Sequence, residues 1–146
     1  MTARVLVIED NAINLALVTY ALQAYGCVTL AAADGRAGLE TARRERPELI
    51  LCDVQMPDID GFEVARRLKA DPELRRIPLI AITALAMVGD RERMLAAGFD
   101  GYLSKPIEPQ QLIAAVQTYL AQPLGPPAVH GDAGLAPPPP APAATI

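Results

Sequence analysis

The stretch Leu49-Ile50-Leu51-Cys52-Asp53 places a carboxylate directly after four consecutive apolar residues. A short apolar run of this kind is typical of a strand that is buried on both faces of a parallel sheet. Similar runs occur on either side of it, at residues 4–8, 28–31, 79–82 and 101–103. We therefore predict five short strands, of which residues 49–52 form the third.

Amphipathic stretches separate these runs and predict helices at residues 13–25, 35–46, 61–70, 89–97 and within 107–120. Asp34 is placed to cap the second helix, and Gly26 is placed to end the first. The spacing of Ile13, Leu17 and Ala21 puts these three residues on one side of the first helix. We expect that side to face the core.

Regular alternation of strands and helices predicts an α/β fold with a parallel sheet covered by helices on both faces. Right-handed crossovers leave few arrangements, and a doubly wound, flavodoxin-like five-stranded sheet in the order 2-1-3-4-5 is favoured. In such folds ligands bind beyond the carboxyl ends of the strands, where the first and third strands are neighbours.

Composition restricts the class of protein. The chain has 146 residues, 51% of them hydrophobic, which is enough for one domain with a buried core. Its net charge of −4 argues against direct binding of nucleic acid, and the arginines at 43–46 and 66–67 are interpreted as solvated helix surface. No apolar run is long enough for a membrane span and no signal peptide is visible, so we expect a cytoplasmic protein.

The composition changes after Gln122, where proline and alanine become dominant. We predict a folded domain over residues 1–122 and a disordered Pro/Ala-rich tail over 123–146, which holds His130, the one histidine of the chain. The four prolines at 137–140 could alternatively be a ligand for a proline-reading domain. Cys27 and Cys52 have no metal-site spacing, and Cys52 is expected to act as a small buried hydrophobe.

Polar side chains follow four of the predicted strands. Glu9 and Asp10 follow the first, Asp53 the third, Thr83 the fourth and Lys105 the fifth. Taken singly, Asp53 and Thr83 could be helix caps and Lys105 a surface lysine. In the order 2-1-3-4-5, however, all of them converge on one edge of the sheet. Crowded carboxylates need a cation, and Mg²⁺ with a nearby lysine and hydroxyl is typical of a phosphoryl-transfer site.

Four short motifs resemble the receiver domain of response regulators in two-component and phosphorelay signalling, over roughly residues 3 to 121. They are residues 7–11 (VIEDN), 53–61 (DVQMPDIDG), 82–84 (ITA) and 102–106 (YLSKP). The first acidic position is Glu9 rather than Asp. Residues 9–14 and 83–87 further resemble the receivers of hybrid kinases and of stand-alone cell-cycle regulators.

The resemblance implies a role for each matching residue in metal binding. Asp53 would be the phosphoacceptor, and the side chains of Asp10 and Asp53 would bind Mg²⁺. Glu9 would assist through water, and the backbone carbonyl of Gln55 would be a further ligand.

The resemblance also implies a switch. Lys105 would contact the phosphoryl group, and Thr83 would be the hydroxyl that moves toward it. Tyr102 would be the aromatic side chain that turns inward in response. The Lys105–Pro106 peptide bond resembles one that is cis in the family.

The predicted function is therefore a phosphorylation-dependent signalling switch rather than an enzyme in the usual sense. Asp53 would receive a phosphoryl group from the phosphohistidine of a sensor kinase or histidine phosphotransfer protein. Because a Pro/Ala tail follows the domain, output is expected through protein contacts around residues 87–120.

Three alternatives can be weighed on the sequence. A phosphatase of the haloacid dehalogenase type needs a second Asp two residues after the first, where this chain has Gln55. A flavodoxin-like electron carrier needs a phosphate-binding loop after the first strand, where Glu9 and Asp10 would repel phosphate. A receiver-like binding module that works without phosphate is the remaining alternative.

Overall fold

The computed structural model describes residues 3–84 and 88–120, in which strands and helices alternate strictly. The strands are β1 (Arg4–Ile8), β2 (Val28–Ala32), β3 (Leu49–Asp53), β4 (Leu79–Thr83) and β5 (Gly101–Ser104). The helices are α1 (Ala12–Ala24), α2 (Gly35–Glu45), α3 (Gly61–Ala70), α4 (Val88–Ala97) and α5 (Pro109–Tyr119). The alternation predicted from the sequence is confirmed.

All neighbouring strands pair in parallel, in the order β2-β1-β3-β4-β5, which confirms the predicted topology. Four strands extend one residue further than predicted, because the parallel ladder continues to their carboxyl ends. Asp53 pairs with Ile82, and Thr83 pairs with Ser104. The polar residues at these positions are therefore held by sheet hydrogen bonding and not by loops alone.

Alternate strand residues face two separate cores. On one side, α2, α3 and α4 pack against Leu6, Ile8, Ile50, Cys52 and Ala81. On the other side, α1 and α5 pack against Val5, Val7, Leu49, Leu51, Ile80 and Ile82. Both cores are built mainly from aliphatic side chains, as a sheet buried on both faces requires.

The predicted core face of α1 is wrong for Ile13 and Leu17 and correct for Ala21. Ile13 is 80% exposed and Leu17 is 39% exposed, whereas Val18, Ala21 and Leu22 are buried. The helix has apolar residues on most of its sides, so the spacing alone was compatible with more than one buried face. Packing against the sheet and α5 selected the face that contains Ala21.

Local signals at helix ends agree with the structure. The Asp34 carboxylate accepts a hydrogen bond from the backbone N–H of Ala37 and caps α2. Gly26, with φ of 86°, follows α1 in the left-handed region that favours glycine. Helix α2 ends at Glu45, one residue before the predicted end, and Arg46 adopts a left-handed conformation there.

Both cysteines are buried free thiols. Burial, followed by the nearby charge of Asp53, raises the pKa of the Cys52 thiol well above its ordinary value, so the side chain is neutral. The prediction that Cys52 is a small buried hydrophobe is confirmed.

The exposed arginines of α3 form ion pairs on the surface of their own helix. Arg66 and Arg67 both contact the carboxylate of Glu63.

The predicted tail at 123–146, with His130 and the prolines at 137–140, lies outside the described residues. No helix in residues 3–84 and 88–120 is long and apolar enough to cross a membrane.

The start of α3 gives a test of how tightly the fold holds the end of β3. A Cβ atom on Gly61 would lie 2.5 Å from the carbonyl oxygen of Asp53 and 2.6 Å from Cα of Val54. Backbone atoms cannot move aside cheaply, so we expect Gly61→Ala to lower the free energy of unfolding by about 2–3 kcal/mol in urea denaturation.

Gly89 in α4 is the matched control, because nothing lies within 4 Å of a Cβ atom built there. Gly89→Ala should be neutral or stabilising by up to about 1 kcal/mol. Equal effects of the two substitutions would contradict the packing described at Gly61.

Candidate functional site

The polar residues predicted from the strand ends come together at the carboxyl edge of the sheet. Glu9 and Asp10 directly follow β1, and Asp53 is the last residue of β3. Thr83 is the last residue of β4, and its carbonyl oxygen accepts a 2.8 Å hydrogen bond from the backbone N–H of Lys105. Parallel pairing of neighbouring strands brings these ends to one place.

Lys105 links the two buried carboxylates of the site. Its Nζ atom donates a 3.0 Å hydrogen bond to Oδ2 of Asp53 and lies 3.4 Å from Oε1 of Glu9. Burial by itself would lower the pKa of Lys105, but the hydrogen bond and charge of Asp53, with the charge of Glu9, outweigh burial and raise it. The ammonium group is therefore held in its charged form.

Glu9 is fully buried. Burial, and then the adjoining Asp53 carboxyl group, raise its pKa from the ordinary 4.5 to about 7, against the opposing effects of the Asn11 N–H and Lys105. Among the described residues, none makes a hydrogen bond to Oε1 of Glu9, although Oε2 accepts one from Asn11. Oε1 faces the Lys105 ammonium at 3.4 Å without a hydrogen bond, so its lone pairs remain suited to a metal cation as well.

Carboxylate oxygens of Glu9, Asp10 and Asp53 lie within 4.8 Å of one another. Hard divalent cations prefer oxygen ligands, and Mg²⁺ keeps several water molecules while it binds one or two carboxylates. Asp10 is exposed, so water reaches one side of the group. The three residues therefore fit a hydrated Mg²⁺ ion.

The loop between β3 and α3 is fixed close to the carboxylates. The backbone N–H of Gln55 donates a 3.0 Å hydrogen bond to Oδ1 of Asp53. Arg36 of α2 forms a 2.5 Å ion pair with Asp58, and its hydrogen bond keeps the pKa of Asp58 below the ordinary value. The carboxylate of Asp60 caps α3 by accepting from the N–H of Glu63. Gln55 is thereby held beside Asp53.

Thr83 and Tyr102 lie on the same face of the sheet. Tyr102 pairs with Ala81, and residues two apart on a strand share a face. Thr83 is completely buried, whereas Tyr102 is half-buried and packs against the core under α2, α3 and α4. The Lys105–Pro106 peptide bond, just beyond β5, is cis.

One surface beside the site was missed by the sequence analysis. Ile13, Leu17 and Tyr20 form an exposed apolar row along α1, which we call the α1 stripe; Tyr20 is 76% exposed. The helix begins at Ala12, two residues after Asp10, so the stripe starts next to the acidic group. The signal that could have revealed it is the excess of apolar residues in α1 over what one buried face needs.

Glu9 provides a pH test of the site without metal. Its folded-state pKa of about 7 lies above the ordinary 4.5, so its contribution to stability is complete below about pH 4.5 and is lost as the pH rises through 7. Glutamine cannot ionise, so in EDTA at pH 8 the free energy of unfolding of Glu9→Gln should be about 1–2 kcal/mol higher than that of wild type. This difference should become smaller toward pH 5. Urea denaturation at several pH values measures this.

Asp10→Asn is the control, because Asp10 is exposed and its substitution should leave the metal-free pH dependence as in wild type. Both variants should show less stabilisation by added Mg²⁺ than wild type, since each removes a carboxylate from the acidic group that fits the ion. A Glu9→Gln variant with the same pH dependence as wild type would show that Glu9 is not held in a desolvated pocket.

The sequence matches the response regulator receiver domain family over residues 5–117. It is 43% identical over 120 residues to the polar-differentiation response regulator DivK of Brucella ovis, which covers 82% of this chain and 98% of the relative.

Solved structures agree. The chemotaxis response regulator CheY4 of Vibrio cholerae matches with a TM-score of 0.79 and 30% identity, over 82% of this chain and all of that one. The receiver domain of a sensor histidine kinase from Pseudomonas aeruginosa, which has a magnesium ion coordinated in its active-site cleft, matches with a TM-score of 0.77 and 34% identity, over 84% of this chain and all of that one. The chain belongs to the response regulator receiver domain family.

Proposed function

We propose that this receiver domain is switched by phosphorylation of Asp53, with the phosphoryl group supplied by the phosphohistidine of a sensor kinase or histidine phosphotransfer protein. The observation that carries the proposal is the contact of Lys105 Nζ with Asp53 Oδ2 at 3.0 Å, inside a cluster that also holds Glu9 and Asp10. A carboxylate acceptor, an adjacent ammonium group and a set of cation ligands are the parts that phosphoryl transfer to an aspartate needs.

In the transfer step, an oxygen of Asp53 forms a bond to phosphorus as the bond from phosphorus to the imidazole nitrogen breaks. The electron pair of the broken bond stays on the imidazole. A Mg²⁺ ion held by Glu9, Asp10 and Asp53, with the Gln55 carbonyl as a further ligand, would neutralise charge on the phosphoryl oxygens. Magnesium in the cleft of the Pseudomonas aeruginosa receiver supports this assignment.

Lys105 has two partners before transfer and would gain a third. The new phosphoryl group adds negative charge next to Asp53, and Lys105 is already within reach of that position. The hydroxyl of Thr83 would then donate a hydrogen bond to a phosphoryl oxygen. Because Tyr102 lies on the same face of the sheet, a shift of Thr83 would change the packing available to its half-buried ring.

Output from this switch would pass through protein contacts on α4, β5 and α5, within residues 87–120, of which 88–120 are described. Tyr102 lies on β5, in the middle of this region, and Leu95 of α4 is 51% exposed there. The target is a protein rather than nucleic acid, and the reaction is limited to self-phosphorylation and loss of the phosphate. We assign this function to residues 1–122, with 123–146 as an appended tail.

The α1 stripe supports a docking site for the phosphate donor. An exposed row of Ile13, Leu17 and Tyr20 that begins beside Asp10 would bring a helical partner next to Asp53. Apolar anchors with an aromatic residue are typical of protein interfaces. A receiver-like module that works without phosphate would use the same surfaces but would gain no covalent phosphate.

Asp53→Asn tests the acceptor. After incubation with Mg²⁺ and acetyl phosphate, we expect intact mass spectrometry to show one added phosphoryl group in wild type and none in the variant, because the amide is not a nucleophile. EDTA should abolish the gain in wild type. Asp58→Asn, in the same loop but paired with Arg36, is the control and should be phosphorylated normally.

A variant Asp53→Asn that still gained a full equivalent of phosphate would overturn the assignment of the acceptor. No gain by any of the proteins, from acetyl phosphate or from a phosphorylated histidine kinase, would favour the module that works without phosphate.

Tyr20→Ser tests the docking of the donor. We expect about tenfold slower transfer from a phosphorylated histidine kinase, because an exposed aromatic anchor is lost, and an unchanged rate with acetyl phosphate. Leu95→Ser is the control, since Leu95 is also a large exposed hydrophobic residue, 51% exposed on α4, away from the α1 stripe. Rapid-quench measurement of the phosphorylated fraction gives both rates. Equal slowing by the two substitutions would place the donor elsewhere.

A further inference from the structure

A mostly apolar groove lies at the amino end of the sheet, opposite the acidic cluster of Glu9, Asp10 and Asp53. It has a volume of about 360 Å³ and is lined by residues that precede strands and by the end of α5. The main lining residues are Ala3, Pro47, Ile77, Pro78, Tyr119 and Leu120. Two charged residues, Glu48 and Arg76, also line it. None of these residues takes part in the site described above.

The groove is formed before anything binds in it. The hydroxyl of Tyr119 donates a 2.9 Å hydrogen bond to the carbonyl oxygen of Asp100, which fixes the ring. Gly101 packs so closely on that ring that a Cβ atom there would lie 2.7 Å from the Tyr119 hydroxyl. The backbone N–H groups of Glu48 and Ile77 donate hydrogen bonds to the carbonyl oxygens of Arg4 and Leu74, respectively. The residues that line the groove therefore need little further ordering when a segment binds, which lowers the entropic cost of binding.

The position of the chain beyond α5 identifies an occupant. Leu120 lines the groove and is the last residue described before the tail begins. The next residues are Ala121-Gln122-Pro123-Leu124-Gly125-Pro126-Pro127, and none of them is charged. An extended proline-rich segment advances about 3.1 Å per residue, so a segment that starts three residues after Leu120 is short enough to reach the groove.

We propose that residues 123–127 (PLGPP) fold back and occupy this groove, with their prolines against Tyr119 and Pro78. Proline-rich segments bind grooves that are lined by aromatic residues, because they lose little conformational freedom on binding. A short linker also gives the segment a high effective concentration at the groove, on the order of millimolar. The prolines at 137–140 are separated by a longer linker and are disfavoured as occupants.

The groove and the acidic cluster lie at opposite ends of the strands, so the docking does not depend on phosphorylation of Asp53. Its failure and the failure of the proposed function are therefore distinguishable. A phosphorylation assay reports on one, and the amide signals of the groove report on the other.

The test uses the full chain with serine in place of Pro123, Pro126 and Pro127, and a control with serine in place of the prolines at 138–140. In ¹H–¹⁵N spectra, the first variant should shift the amide signals of Glu48, Ile77 and Tyr119, whereas the control should leave them as in wild type. Phosphorylation by acetyl phosphate should be equal in all three proteins.

Relaxation of the amides of Leu124 and Gly125 gives an independent measurement. In wild type the ¹⁵N heteronuclear Overhauser effect at these two residues should exceed that of residues 143–145, and Ile77→Glu should remove the difference. Unchanged groove signals in the first variant would overturn the proposal. Signal shifts in the control would assign the groove to the distal prolines, and shifts that depend on protein concentration would assign it to the tail of a second copy; both results would also overturn it.

Discussion

The structure depends on how three carboxylates are held near one lysine at the edge of a buried sheet. Oxygens of Glu9, Asp10 and Asp53 lie within 4.8 Å of one another, and Lys105 is the cation in contact with two of them among the residues described. Burial raises the energy of the charged Glu9 and Asp53 carboxylates, and the exposed Asp10 adds a third negative charge beside them, so the group is stable only with proton, ammonium or metal compensation. The acidic group therefore fits a Mg²⁺ ion, and a phosphoryl group on Asp53, as proposed above, would change its charge balance.

The fold is the means of imposing that arrangement. Two aliphatic cores clamp the sheet from both sides, and parallel pairing aligns the ends of β1, β3, β4 and β5. Loops alone would let the carboxylates move apart to relieve their repulsion. Strand pairing of Asp53 with Ile82, and of Thr83 with Ser104, keeps the polar residues in place although the carboxylates repel one another. In the proposed switch, this rigid edge would leave the response to added charge to the side chains of Thr83, Lys105 and Tyr102.

The site residues could be predicted from the sequence, because polar residues that end successive apolar strands are expected at one edge of a parallel sheet. Asp53 after four apolar residues is a polar residue at the end of a buried strand, and its position follows from the strand pattern. The buried face of α1 could not be predicted in this way, because Ile13 and Leu17 satisfy helical spacing as well as Val18 and Leu22 do. Which apolar side of α1 remains exposed as the α1 stripe is decided by packing against the sheet and α5, and the groove beside Tyr119 is formed by residues distant in sequence.

By itself, the sequence determined the alternation of strands and helices, the order of the sheet and the residues that meet at its carboxyl edge. These follow from hydrophobic periodicity, the handedness of crossovers and the placing of polar residues at strand ends, which are properties of the chain. Only the tertiary structure decided that Glu9 is fully buried while Asp10 is exposed, that Lys105 bridges Glu9 and Asp53, and which side of α1 faces water. The physical reason is that burial and ion pairing depend on what neighbouring elements place around a side chain, and neighbours in sequence do not fix that.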